Sequence, residues 1–163
     1  GLNDFLALLI PFLKKLPKNY RFAVEIRNKI WLVPQLVEAL RSHGVALALI
    51  DQSWMPRPAQ WFEKIDPITT DFTYVRWLGD RKGIEERTRT WDKVIVDRSS
   101  DLAEWVRLLK TVQKRKIQIL AFANNHYAGH GPATLETFSH LWNAGSTPAN
   151  ISGSQPASGN LFD

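Results

Sequence analysis

The seven residues VALALID, Val45 to Asp51, decide the fold. They form an unbroken apolar run ending in a carboxylate, and a strand that reads this way is buried on both faces. Such strands belong to parallel sheets, whose faces are covered by helices or closed into a barrel. The strand before it behaves differently. In FAVEIRN, Phe22 to Asn28, Phe22, Val24 and Ile26 share one face while Ala23, Glu25 and Arg27 share the other. One face is apolar; the other is small, then charged.

Working outward, helices and strands alternate. Leu2 to Leu16 reads as an amphipathic helix ending before Pro17, with Pro11 a kink or break, and Arg21 to Arg27 as a strand. Val33 to His43 has helical spacing, with Pro34 in its first turn and Gly44 as the stop. Gln52 to Thr70 is a Pro-rich connection with a short helix around Gln60 to Lys64. FTYVRWLG, Phe72 to Gly79, is the third strand, followed by a charged insertion from Gly83 to Arg98. Ser99, Ser100 and Asp101 offer N-caps for a helix that aligns Leu102, Trp105, Val106, Leu109 and Val112 on one face. IQILAFANN, Ile117 to Asn125, is the fourth strand, and Pro132 opens a last helix reaching about Asn143. The expected organisation is a partial barrel over 1–143 and a flexible tail over 144–163, which is small, polar and without Lys or Arg.

The 163 residues, 44% hydrophobic, suffice for one domain with a sizeable core. No run approaches the ~20 apolar residues of a membrane span, so no membrane partner is expected. Absence of cysteine removes disulfides, thiolate metal sites and a cysteine nucleophile, and fits a reducing, cytoplasmic setting. A formal charge of +5 and a pI near 9.6 favour an anionic partner, whether small molecule or nucleic acid. There is no nucleophile elbow, Walker loop or dinucleotide fingerprint, so hydrolase and nucleotide-binding readings lack support.

The charges obey one rule: each strand finishes with a polar group, Glu25 and Arg27, then Asp51, Arg76, and finally Asn124 and Asn125. Ligands of parallel α/β proteins bind beyond the carboxyl ends of the strands. These residues are therefore candidate site groups, with Ala23, Ala46, Ala48, Ala121 and Ala123 as small inward neighbours. The competing reading makes Glu25 and Arg27 a mutually paired plug. Arg76 shares a face with Phe72 and Tyr74, and is the first choice for anion contact. The loop NNHYAGHGP adds Gly129 and Gly131, which permit close backbone approach, ahead of a helix start. His126 is a candidate general acid or base; with His130 it would need Glu25 or Asp51 to hold a metal, and none is expected. The sequence does not name a cofactor, and whether one is used is unknown.

Taken in order, FAVEIRNKIW, GVALALID, TTDFTYVRWLG and AFANNHYAGHGPAT resemble the YecE-like family, a bacterial domain-of-unknown-function family with a TIM-barrel-like fold. The resemblance covers about Leu2 to Asn143. It implies that the segment corresponds to the C-terminal half of such a barrel, and maps the family's acidic-x-Arg strand onto Glu25 and Arg27, its Tyr-Val-Arg strand onto Tyr74 to Arg76, and its Asn pair onto Asn124 and Asn125. Leu78 departs from it, since many members carry His before the following Gly. The family has no assigned reaction. A half-barrel is expected to need its missing N-terminal half or to pair with a second copy. The closing residues GNLFD loosely resemble Leu-Phe peptides that hook onto the replication sliding clamp, which supports an alternative nucleic-acid-associated role.

Overall fold

A computed structural model describes residues 1–144. The tail expectation and the GNLFD resemblance lie outside the described residues.

The order is α1 (Leu2–Lys14), β1 (Ala23–Val24), a 3-10 turn (Lys29–Trp31), α2 (Pro34–Ser42), β2 (Ala46–Gln52), α3 (Pro58–Lys64), β3 (Phe72–Gly79), α4 (Arg81–Glu85), α5 (Ser99–Lys114), β4 (Gln118–Ala123), α6 (Asn125–Ala128) and α7 (Gly131–Ala144). The strands form one sheet in the order β1-β2-β3-β4, every pair parallel. This is the βα succession of a TIM-barrel-like fold, as the apolar β2 requires.

The helices cover one face of the sheet. Leu47, Leu49, Val75 and Trp77 point into that layer and meet Leu36 and Leu40 of α2 and Leu102, Trp105 and Leu109 of α5, all buried. Burying each such side chain contributes roughly 1.5–3 kcal/mol, so this layer is the main source of stability. The other face carries no helix among the described residues and borders an open cavity of about 430 Å³, lined by strand residues together with Arg21 and Glu25 on either side of β1. We call it the open face.

Four expectations are corrected. The first strand is only Ala23–Val24, paired with Ala46 and Leu47; beyond it Glu25 and Asn28 use their side chains, Glu25 on two guanidiniums and Asn28 on the Ile30 amide. Pro11 lies inside an unbroken α1. No side chain of Ser99, Ser100 or Asp101 caps α5: its first turn is held by Asp97, whose Oδ1 accepts from the Ser99 amide at 2.8 Å. Ala121 and Ala123 pack on the helix side, because the β3–β4 register sets Leu120 opposite Tyr74 and Phe122 opposite Arg76 on the open face.

Candidate functional site

At the carboxyl ends of β1 and β3, Glu25 stands between two arginines. Its Oε1 accepts from Arg27 Nε at 2.6 Å and its Oε2 from Arg76 Nη1. Burial works against the charged carboxylate, yet the hydrogen bonds and positive charges of Arg27 and Arg76 together outweigh it and hold Glu25 below the usual 4.5. The trio therefore carries one net positive charge. Arg76 is one-third exposed, at 34%, while Arg27 extends further into solvent. Below them the open cavity is walled by Ala23, Ala48, Phe72, Tyr74 and Leu120, with Arg21 at its far end. Tyr74 packs on Phe122 with ring centroids 4.9 Å apart and planes tilted by 32°, and Phe122 is the cross-strand neighbour of Arg76.

The paired-plug reading is thus half realised. Glu25 does bind Arg27, but it reaches equally to Arg76, fifty-one residues away.

Asp51 does not join this group. Parity along β2 sends it, with Leu47 and Leu49, to the helix side, where it is buried. Its Oδ2 accepts from Trp105 Nε1 at 2.8 Å and from the Tyr127 hydroxyl at 3.0 Å, and Arg57 Nη1 lies 3.2 Å from both oxygens. Arg57 also binds Glu104 at 2.7 Å and Asp101 at 3.0 Å. Burial, then the Asp51 charge, push the Tyr127 hydroxyl far above its ordinary value, so it acts only as a neutral donor. Sequence reading missed Arg57, Trp105 and Tyr127 here. The signal available was an indole on the buried face of a helix, which needs an acceptor for its N–H.

The residues after β4 build a small, tightly wired turn. Asn124 Oδ1 accepts from the His126 amide at 3.0 Å and lies 2.8 Å from His126 Nδ1. An amide oxygen only accepts, so Nδ1 is the donor in that contact. Nε2 faces Glu85 Oε1 at 3.1 Å, and Trp91 packs edge-on against the ring. The Arg81 hydrogen bond first, then His126, hold Glu85 below its ordinary value. Asn125 Oδ1 accepts from the Gly131 amide at 2.7 Å and so fixes the start of α7. Gly129 has φ +111°, and a Cβ there would sit 2.6 Å from Ile95 and 2.7 Å from the Lys93 carbonyl; it lets α6 pack against the segment before α5. Gly79, at φ +70°, does the same for β3, since a Cβ would lie 2.5 Å from Tyr127 Cα. Leu78 is buried. Among the described residues no cluster of three or more His, Asp or Glu side chains is arranged to hold a metal ion.

A family model described as "Protein of unknown function DUF72" matches residues 2–158. The chain belongs to the DUF72 family. A DUF72 family protein from Enterococcus faecalis matches with a TM-score of 0.63 at 16% identity, over 98% of this chain and 57% of that one. Another DUF72 family protein, from Thermotoga maritima, matches with a TM-score of 0.59 at 21% identity, over 86% of this chain and 51% of that one. These likenesses carry the fold alone, and the chain spans little more than half the length of either solved DUF72 protein. No curated protein matches the chain.

Proposed function

We propose that the open face binds a small anionic ligand, phosphorylated or carbohydrate-like, at the carboxyl ends of β1 and β3. The observation that carries the reading is the Arg27–Glu25–Arg76 trio. Two guanidiniums held by one carboxylate keep a net positive charge, and planar guanidinium forks match phosphate and carboxylate oxygens. Glu25 orients the forks and offsets one of their two charges. The Tyr74–Phe122 pair beside Arg76 offers a flat apolar wall for a sugar or other ring attached to the anion.

In this reading Arg76 and Arg27 contact the anion, and the exposed Asn124 lines the same end of the sheet. His126, whose Nε2 faces Glu85, is the candidate acid or base if a reaction accompanies binding, and Glu25 the second ionisable candidate. Asn125, Gly129 and Gly131 shape the loop rather than reach into the cavity. Asp51, on the far side of the sheet, supports the scaffold. The DUF72 relatives bring no substrate to this list, because their descriptions name none.

The test is calorimetric titration of the folded protein with inorganic phosphate and with glucose 6-phosphate at low ionic strength. Saturable heat that weakens with added salt is expected, with the sugar phosphate binding more tightly. Absence of saturable heat for both, or binding unchanged by Arg76→Ala, overturns the reading.

A further inference from the structure

A second surface stands at the opposite end of the sheet. In a parallel α/β chain every helix-to-strand connection returns to the amino-terminal ends of the strands, so charges in those connections gather on one rim. Lys14, Lys15, Lys18 and Arg21 lie in the connection to β1, and Arg41 at the end of α2 before β2. Lys64 precedes β3, and Lys114, Arg115 and Lys116 precede β4. Hydrogen bonds confirm the gathering: Arg21 reaches Asp71 and Gln118, and Asp66 binds Arg115 at 2.9 Å while its carbonyl accepts from Arg41 at 3.1 Å.

Against these nine cations stand four carboxylates, Glu38, Glu63, Asp66 and Asp71. The rim excess of five equals the formal +5 of the whole chain; the other twelve cations are matched by twelve carboxylates. Helix C-termini attract cations on their own account, each presenting about half a negative charge. Among the described residues five helices, α1, α2, α3, α5 and α7, end at this rim, which removes roughly two and a half charges and leaves a positive excess. The three arginines are engaged with Asp66, Asp71 and Glu38. The six lysines are exposed and, among the described residues, make no ion pair. Between Lys18 and Arg21, Tyr20 is 67% exposed.

We propose that this rim binds the phosphate backbone of single-stranded nucleic acid without sequence preference. Exposed lysines without an ion pair among the described residues, spread over successive connections, suit a repeating phosphate chain, and an exposed tyrosine among them suits base stacking. A membrane surface fits less well. Of the large exposed apolar side chains of α1, Leu8 lies more than a turn behind the rim and only Phe12 stands in the last turn beside Lys14 and Lys15, a single anchor. The surface meets the open cavity only at Arg21, and its lysines lie outside that cavity, so the proposal does not rest on the open-face reading.

Fluorescence anisotropy with a labelled 20-nucleotide single strand tests the proposal. Affinity should fall steeply with salt, about 100-fold between 50 and 200 mM if some five phosphates are contacted. The variant K14Q/K15Q/K18Q should lower affinity at 50 mM at least ~10-fold and flatten the salt dependence by about two units of slope. Circular dichroism should show its helix content unchanged. The control K29Q/K82Q/K93Q, with the same charge loss at the opposite end, should bind nearly as the parent does. The proposal is overturned by no binding at 50 mM, by equal losses in both triple variants, or by loss on Arg76→Ala, which would place the strand in the open-face site. It is also overturned if vesicles with 30% phosphatidylserine bind in a Lys14-, Lys15- and Lys18-dependent way while the oligonucleotide does not.

Discussion

Glu25 and Arg76, fifty-one residues apart in sequence, close an ion pair across the carboxyl ends of β1 and β3. β1 has left its ladder before Glu25, whereas Arg76 stands within the β3 ladder between Ile50 and Phe122. Their contact joins the first strand to the third over the intervening β2, and defines the upper edge of the open cavity.

Replacing Arg76 by Ala should weaken binding of phosphate-type ligands about 10- to 100-fold, since hydrogen bonds to charged groups are worth roughly 1.5–3 kcal/mol. Arg81→Ala should change it less than about twofold, because Arg81 is 77% exposed and already paired with Glu85. Calorimetric titration of both variants compares them directly. Equal losses would move the anion to the loop surface.

The Glu25 carboxyl is held below its ordinary value in the folded state. A depressed carboxylate contributes stability that is complete above the unfolded value near 4.5 and is lost as pH falls through the lower folded value. Glu25→Gln should therefore flatten the decline of Tm below about pH 4.5 while costing stability at pH 7, where two guanidiniums lose their shared partner. Thermal melts across pH 2.5 to 7 measure this, taken as ~0.5-unit steps. A parent and variant with parallel profiles would mean that Glu25 titrates the same folded and unfolded.

Asp51→Ala is expected to be far more damaging. It strands the Trp105 indole N–H and the Tyr127 hydroxyl in the core and frees Arg57 from its innermost partner. Breaking a buried charge contact of this kind costs about 3–5 kcal/mol. Tyr127→Phe removes one hydrogen bond and should cost about 1 kcal/mol. Urea unfolding followed by tryptophan emission ranks the two; an Asp51→Ala loss no greater than that of Tyr127→Phe would contradict the buried network.

Gly79→Ala should destabilise by several kcal/mol. The backbone conformation there is one that side chains rarely adopt, at about 1–2 kcal/mol, and the added Cβ collides with the backbone of His126 and Tyr127 rather than with a flexible side-chain tip. Gly44→Ala, at φ +66° with open space around it, should show the conformational cost alone. Near-equal Tm values for the two variants would refute the close approach of α6 to β3.

Among the described residues, β1 and β4 each pair on one side only, and Phe122 is 48% exposed on the open face. Unpaired edges recruit other chains. The 163-residue chain should accordingly self-associate, and Phe122→Lys should shift it toward monomer in size-exclusion chromatography. A sharply melting monomer of the parent would mean that these edges are tolerated.

Much of this was legible in the sequence. Val45–Asp51 and Phe72–Gly79 read as strands because apolar runs bounded by turn residues leave few alternatives, and parity alone placed Arg76 with Phe72 and Tyr74. The pairing of Glu25 with Arg76 was not legible, since it depends on how two parallel strands slide against a third. Ala121 and Ala123 were assigned to the wrong face for the same reason: the period of two says which residues share a face, not which face it is. Asp51 failed similarly. Both faces of β2 are apolar, so nothing in the run says that its final carboxylate turns toward the helices.

Asp51 is bound by the residue before α3, by the middle of α5 and by α6, so a single carboxylate at the end of one strand sets where three helices begin or cross. The open face takes no part in that arrangement. Side chains such as Tyr74, Arg76 and Phe122 could then be exchanged over evolutionary time for others with different ligand preferences while the helices behind them stay registered, which is one way a family could keep a shape and diverge in what it recognises.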